Sequence, residues 1–168
     1  VRIYPAKTET SSLHLKILRY LGRKHPYIVH TYELFYDAEN VLVFQEFATM
    51  GNLVEYLEQC QPLSEREAVV WARQVYRALD FLGDQAIAHR ELTPIHLVVQ
   101  PQHNGEVWLK LTGFKNAVIY WDCQTNDVIF LPCLPLEQQK IDGCNFQAPE
   151  VYGDSSKEQF DPILGKTL

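Results

Sequence analysis

The side chains best suited to chemistry lie in three short runs in the second half of the chain. They are Ala88–Val98 (AHRELTPIHLV), Leu111–Lys115 (LTGFK) and Gln147–Glu150 (QAPE). The first run places an imidazole, a guanidinium, a carboxylate and a hydroxyl close together. Each run alone is a weak signal, so the functional information is in their order and spacing.

Other residues that could do chemistry are better explained by structural roles. His25 and His30 flank a turn and the start of a strand, and isolated histidines lack the clustered spacing of a metal site. The four cysteines include no Cys-x-x-Cys pair, which argues against zinc or redox chemistry and indicates reduced thiols in an intracellular protein. No G-x-G-x-x-G is present, and Gly165-Lys166-Thr167 lacks the first glycine of a P-loop.

Helical and strand patterns surround the three runs. A helix is predicted up to Gly22, because apolar residues recur at helical spacing before it. A capping box at 64–67 predicts the start of a long helix. The predicted apolar face of that helix comprises Val69, Ala72, Val75, Tyr76, Leu79 and Leu82.

Strands are predicted over residues 1–4, 29–36, 41–47, 97–99 and 107–111, with turns at 37–40 and at Asn104-Gly105. Gly51-Asn52 predicts the start of a short helix. Residues 113–147 show no sustained periodicity, which is typical of a functional or disordered loop. Within them, the apolar stretch 128–136 is predicted either to cover the site or to form a docking surface.

Composition limits the class of protein. The chain has 168 residues, 46% of them hydrophobic, which supports one packed domain and excludes a disordered chain. The net charge of -6 gives no global electrostatic signal for nucleic acid or anionic lipid. No apolar run is long enough to predict a membrane span.

The three runs resemble, in order, the H-R-D-L-x-x-x-N, D-F-G and A-P-E motifs of the protein kinase family. Residues 18–29, with His-Pro-Tyr-Ile-Val at 25–29, are similar to the segment after the family's C-helix, and residues 43–48 to its gatekeeper and hinge. The resemblance implies an α+β, two-lobed protein kinase-like fold. Residues 1–47 are then part of the small lobe and 48–168 part of the large lobe. Kinase domains are longer, so we expect a truncated domain.

The resemblance also implies that several groups of active kinases are replaced. Glu91 occupies the position of the catalytic base, and its side chain is one methylene longer than the family's aspartate. Arg2 matches the lysine that grips the phosphates, and His14 matches its glutamate partner. His96 and Gly113 stand at the two magnesium-ligand positions, although magnesium prefers oxygen ligands.

Further positions match the family's nucleotide site and core. The nucleotide-site positions are Arg2, His14, Gln45 (the gatekeeper), Glu46, Ala48 and Val98. The resemblance places Leu18, His89 and Phe114 in the regulatory spine. Arg90 matches the arginine that meets a phosphorylated loop, and Glu150 matches the A-P-E glutamate.

From these replacements we expect a catalytically inactive kinase-like domain, a pseudokinase, and not an enzyme. It would act as a scaffold or allosteric regulator in intracellular signalling, with protein partners, in the cytoplasm, the nucleus or both. No cofactor is expected, and binding of ATP and magnesium would be weak or absent. The alternative is a divergent, weakly active Ser/Thr protein kinase that uses Glu91 as base. An unrelated α/β fold is disfavoured, because five motifs occur in family order.

Overall fold

The computed structural model describes residues 1–5, 9–59 and 62–129, and the pairs 131–132, 134–135, 152–153 and 159–160. In these residues the helices are α1 (Glu9–Leu21), α2 (Leu53–Gln59) and α3 (Glu65–Asp84). The strands are β1 (Arg2–Pro5), β2 (Thr31–Tyr36), β3 (Asn40–Gln45), β4 (Ile87–Ala88), β5 (Leu97–Pro101), β6 (Val107–Leu111), β7 (Val118–Ile119), β8 (Trp121–Asp122), β9 (Asp127–Val128), β10 (Leu131–Pro132), β11 (Leu134–Pro135), β12 (Tyr152–Gly153) and β13 (Gln159–Phe160).

The first part of the chain forms a three-stranded antiparallel sheet in the order β1-β3-β2. The turn between β2 and β3 is closed by Asp37, whose Oδ1 accepts hydrogen bonds from the N–H groups of Glu39 and Asn40 at 2.8 and 2.6 Å. Helix α1 packs beside this sheet and buries Leu15, Ile17, Leu18 and Leu21. It ends as predicted at Gly22, which has a φ of 47° and donates to the Leu18 carbonyl oxygen at 3.0 Å.

Helix α3 begins with the predicted capping box, in which Ser64 and Glu67 exchange hydrogen bonds through side chain and backbone. Its predicted apolar face is wrong in part. Val69, Ala72 and Tyr76 are exposed, and the buried residues are Trp71, Gln74, Ala78 and Leu82. The buried face differs from the predicted one because two polar groups of α3 bond the β6 backbone. Trp71 Nε1 donates to the Val107 oxygen at 3.2 Å, and Gln74 Oε1 accepts from the Leu109 N–H at 2.7 Å.

The hairpin β5–β6 lies against α3, with Leu97 paired to Leu111 and Pro101 to Val107. Gly105 takes a φ of 83° in its turn, a conformation that favours glycine. Leu111 of β6 joins the hairpin to the segment that precedes β2. Its N–H donates to the Tyr27 oxygen at 2.8 Å, and its own oxygen accepts from the Val29 N–H at 2.9 Å. One core therefore runs from α1 through the hairpin to α3.

Short strands lie between residues 118 and 135, within the segment 113–147 for which the sequence predicted only a loop. Strand β4 pairs with β7, β8 with β9 and β10 with β13, all antiparallel, while β11 and β12 are parallel. The described residues combine three α-helices with mostly antiparallel strand pairs, which agrees with the predicted α+β class. Phe130, which belongs to the apolar stretch 128–136, lies outside the described residues. Among the helices described, none has the length and apolarity needed to cross a bilayer.

We predict that Gln74→Met destabilises the protein by about 1–3 kcal/mol, because the Leu109 N–H would be buried without an acceptor. Urea unfolding measures the change. Arg73→Met, at an exposed position of the same helix, is the matched control and should stay within about 0.5 kcal/mol of the parent. Equal stability of the Gln74→Met variant and the parent would contradict the prediction.

Candidate functional site

The run His89-Arg90-Glu91 directly follows β4. The ring of His89 forms a hydrogen bond with Thr112, the residue that follows β6. Arg90 has a φ of 66°, in the left-handed region that costs a non-glycine residue energy. Its side chain is half-buried, and burial lowers the pKa of its guanidinium. Such strain persists only where the surroundings hold the backbone in place, and it is common at functional sites.

His89 supplies part of that support. Its ring is buried, its Nε2 lies 2.8 Å from the Thr112 carbonyl oxygen, and its Nδ1 lies 3.3 Å from the Glu91 nitrogen. A carbonyl can only accept, so Nε2 carries the proton and Nδ1 accepts from the Glu91 N–H. Burial lowers the pKa of His89 to about 4, although its bond to the Thr112 oxygen opposes this. His89 is therefore uncharged at neutral pH.

Glu91 is held at three points. Its N–H donates to His89, its carbonyl oxygen lies 2.7 Å from His96 Nδ1, and its Oε2 accepts from Asn116 Nδ2 at 2.9 Å. Among the hydrogen bonds of the described residues, the second carboxylate oxygen takes part in none. No local sequence pattern indicates Asn116, because its contact with Glu91 spans 25 residues.

The two residues at the family's magnesium-ligand positions lie side by side. His96 ends a 3₁₀ turn (Pro94–His96), and Gly113 begins another (Phe114–Asn116) with φ 86° and ψ 37°. The ring of His96 bonds the Glu91 backbone, and Gly113 has no side chain to offer. Within the described residues, no group of three or more histidine, cysteine, aspartate or glutamate side chains could hold a metal ion. This donor set does not fit magnesium, which needs oxygen ligands.

His14, at the family's glutamate position, is buried at 4% exposure. Its ring packs edge to face with that of Tyr4, with 4.9 Å between the ring centroids. Burial lowers its pKa, and the positive charges of Arg2 and Lys115 lower it further. His14 is thus neutral and gives Arg2 no opposite charge. The side chains of Arg2 and Lys115 are exposed and together make this side of the site positive.

Around the predicted hinge, Gln45 donates from Nε2 to Thr31 Oγ1 at 3.0 Å. Glu46 pairs with Lys110 at 2.6 Å and with His30 at 3.0 Å, two partners that sequence reasoning missed. Burial is the main cause that lowers the pKa of His30, although Glu46 acts to raise it. Ala48 and Val98 are half-buried, and Val98 pairs with Lys110 in the hairpin.

The three residues assigned to the regulatory spine are buried. Leu18 and Phe114 share one core cluster, and the rings of His89 and Phe114 meet edge to face at 4.9 Å. Helix α1 packs on the turn that carries Phe114, so the spine positions join α1 to the site. Glu150, matched to the A-P-E glutamate, lies outside the described residues.

We predict that stability falls as pH decreases from about 6.5 toward 4. The folded state holds His89 neutral with a pKa of about 4, against 6.5 when unfolded, so protons bind the unfolded chain preferentially in this window. The stabilisation is present above pH 6.5, is worth ~3 kcal/mol, and is lost on acidification through the folded pKa.

His89→Gln should flatten that dependence, since glutamine does not titrate. Unfolding in urea at pH 7.0 and pH 4.5 measures the slope. His103→Gln, at an exposed turn position, is the control and should keep the parent slope. An unchanged slope in the His89→Gln variant would contradict the assignment.

Comparison with known proteins assigns the family. Residues 5–161 match the model of the protein kinase domain. The human Serine/threonine-protein kinase ULK3 is 28% identical over 70% of this chain and 24% of its own length. Aurora-2 of Arabidopsis thaliana is 34% identical over 56% of this chain and 32% of its length. The Carbon catabolite-derepressing protein kinase of Secale cereale is 28% identical over 88% of this chain and 26% of its length.

The matched segments thus span about a quarter to a third of these relatives. The relatives are named as protein kinases, which contradicts the expectation that this chain is not an enzyme. That expectation weighed the losses at His14, His96 and Gly113, and it could not include the contacts that hold the backbone and the carboxylate of Glu91. On the family match over residues 5–161, the chain belongs to the protein kinase family.

Proposed function

We propose that this domain is a divergent, weakly active Ser/Thr protein kinase that uses Glu91 as its base. The observation that carries the proposal is the support of Glu91 by three residues: Asn116 bonds its carboxylate, and His89 and His96 bond its backbone. A carboxylate held in this way keeps the geometry that general base catalysis requires. The names of the relatives support the same reaction class.

In this proposal Glu91 acts on the hydroxyl of a serine or threonine in a protein substrate. The oxygen of Glu91 that does not bond Asn116 accepts the hydroxyl proton, and the hydroxyl oxygen attacks the γ-phosphorus of ATP. The bond from that phosphorus to the β-phosphate oxygen breaks, and ADP leaves. Because phosphoryl transfer depends mainly on positioning and charge, the fixed carboxylate contributes by orienting the hydroxyl.

The positive charges of the site support phosphate binding on the side of Arg2 and Lys115. Both residues lower the pKa of His14 electrostatically, so each lies near this residue of α1. Magnesium normally neutralises the phosphates in this family, but His96 and Gly113 supply no oxygen ligand for it. We therefore infer weak binding of ATP and magnesium and a low rate of transfer.

Cellular location and partners belong to the same proposal. ATP and protein substrates place the reaction inside cells, in the cytoplasm, nucleus or both, and the exposed free thiol of Cys123 suits a reducing compartment. Its partners would be proteins of a signalling pathway. A scaffold or allosteric role stays a prediction, because no contact among the described residues identifies a surface for it.

We predict that Glu91→Gln lowers kcat by about 100-fold or more, because glutamine accepts no proton from the substrate hydroxyl. Transfer of labelled phosphate from ATP to a mixed protein substrate measures the rate. Glu65→Gln, at an exposed position of α3, is the matched control and should keep the parent rate. A parent that transfers no phosphate, or a Glu91→Gln variant as fast as the parent, would contradict the proposal.

We predict that Asn116→Ala lowers kcat by roughly tenfold and leaves KM for ATP nearly unchanged. The variant loses the bond to Glu91 Oε2, so the carboxylate is oriented less often, which is the kind of misplacement to which rates are sensitive. Asn116→Gln, which keeps the amide, should recover part of the rate. An equal loss in both variants, or a change confined to KM, would argue against this role.

A further inference from the structure

The side chain of His96 lies against the Cα atom of Gly113. A methyl group added at Cα of Gly113 would lie 2.5 Å from His96 Cγ and 2.8 Å from its Nε2, and closer still to its Cδ2. Real carbon atoms do not approach side chains so closely, so any side chain at 113 requires the imidazole to move. The ring of His96 fills the room that a side chain of residue 113 would occupy.

The imidazole is fixed where it stands. Its Nδ1 lies 2.7 Å from the Glu91 carbonyl oxygen and 3.3 Å from Thr93 Oγ1. Because the carbonyl only accepts, Nδ1 carries the proton and donates it. The backbone of His96 is held as well, since its oxygen accepts from the Thr112 N–H at 2.9 Å. Displacing the ring would break its bond to the Glu91 backbone.

We propose that His96 and Gly113 are a mutually dependent pair, in which the imidazole takes the place of a metal-binding carboxylate and positions the Glu91 backbone instead. The pair excludes an oxygen-ligated cation from this point. A carboxylate introduced at 113 alone cannot rebuild such a site, because the ring blocks it. The inference goes beyond the proposed kinase activity and holds whether or not Glu91 transfers phosphate.

The test is a double-mutant cycle with the parent, Gly113→Asp, His96→Asn and the combination of the two. Aspartate tolerates the left-handed backbone of position 113 better than most residues, and any backbone strain is common to both aspartate variants. Thermal unfolding and Mn²⁺ binding are measured on all four proteins. Bound Mn²⁺ is counted by the loss of the free-ion signal in electron paramagnetic resonance, with ADP present and its own binding subtracted.

We expect Gly113→Asp to lower the unfolding midpoint by roughly 5 °C and to bind no Mn²⁺ beyond the parent. The double variant should regain most of that midpoint and bind Mn²⁺ at about 1 mM, since carboxylate and amide oxygens suit this ion. His96→Asn alone should bind none.

Two results would overturn the pairing: a Gly113→Asp variant as stable as the parent, or a double variant no more stable than Gly113→Asp. A stable double variant that binds no Mn²⁺ would overturn the claim that the imidazole is what excludes the cation. Neither readout depends on phosphate transfer, so failure of the kinase proposal and failure of this inference are distinguishable.

Discussion

The hydrogen bonds of the neutral His89 ring hold together the two loops that form the site. One nitrogen donates to Thr112, just before Gly113, and the other accepts from the N–H of Glu91. A charged imidazole could not accept from Glu91, so the arrangement requires the unprotonated ring that burial favours. The same ring meets Phe114, which lies in the core cluster with α1. The geometry of the site therefore depends on the packing that keeps water from His89.

A half-buried carboxylate joins three segments of the chain around the predicted hinge. The carboxylate of Glu46 bonds Lys110 from β6 and His30 from the segment before β2. Lys110 is 5% exposed, and removing its partner would leave a buried charge uncompensated, which is far more costly than the pair is stabilising. Because three distant stretches meet at the Glu46 carboxylate, its main effect is to hold the predicted hinge in position against β6 and the segment before β2. Its net contribution to the free energy of unfolding is smaller.

Local patterns in the sequence were sufficient for much of the fold. The capping box at Ser64 and the end of α1 at Gly22 depend on neighbouring residues alone, and both are present as predicted. The buried face of α3 was predicted wrongly in part, because Gln74 is polar and its burial depends on the β6 backbone 35 residues away. The contacts of Lys110 with Glu46 and of Asn116 with Glu91 likewise bridge distant positions, and no periodicity indicates them.

The same distinction explains the wrong expectation about enzymatic activity. Matching one position at a time treats His96 and Gly113 as two separate losses of a magnesium ligand. In the structure they are a single change, since the ring of one occupies the space of the other's missing side chain. That ring bonds the backbone oxygen of Glu91, so the replacement at His96 helps to hold the residue that carries the remaining carboxylate. Replacements at a site have to be judged as a set, because each alters the room and the hydrogen bonds available to the others.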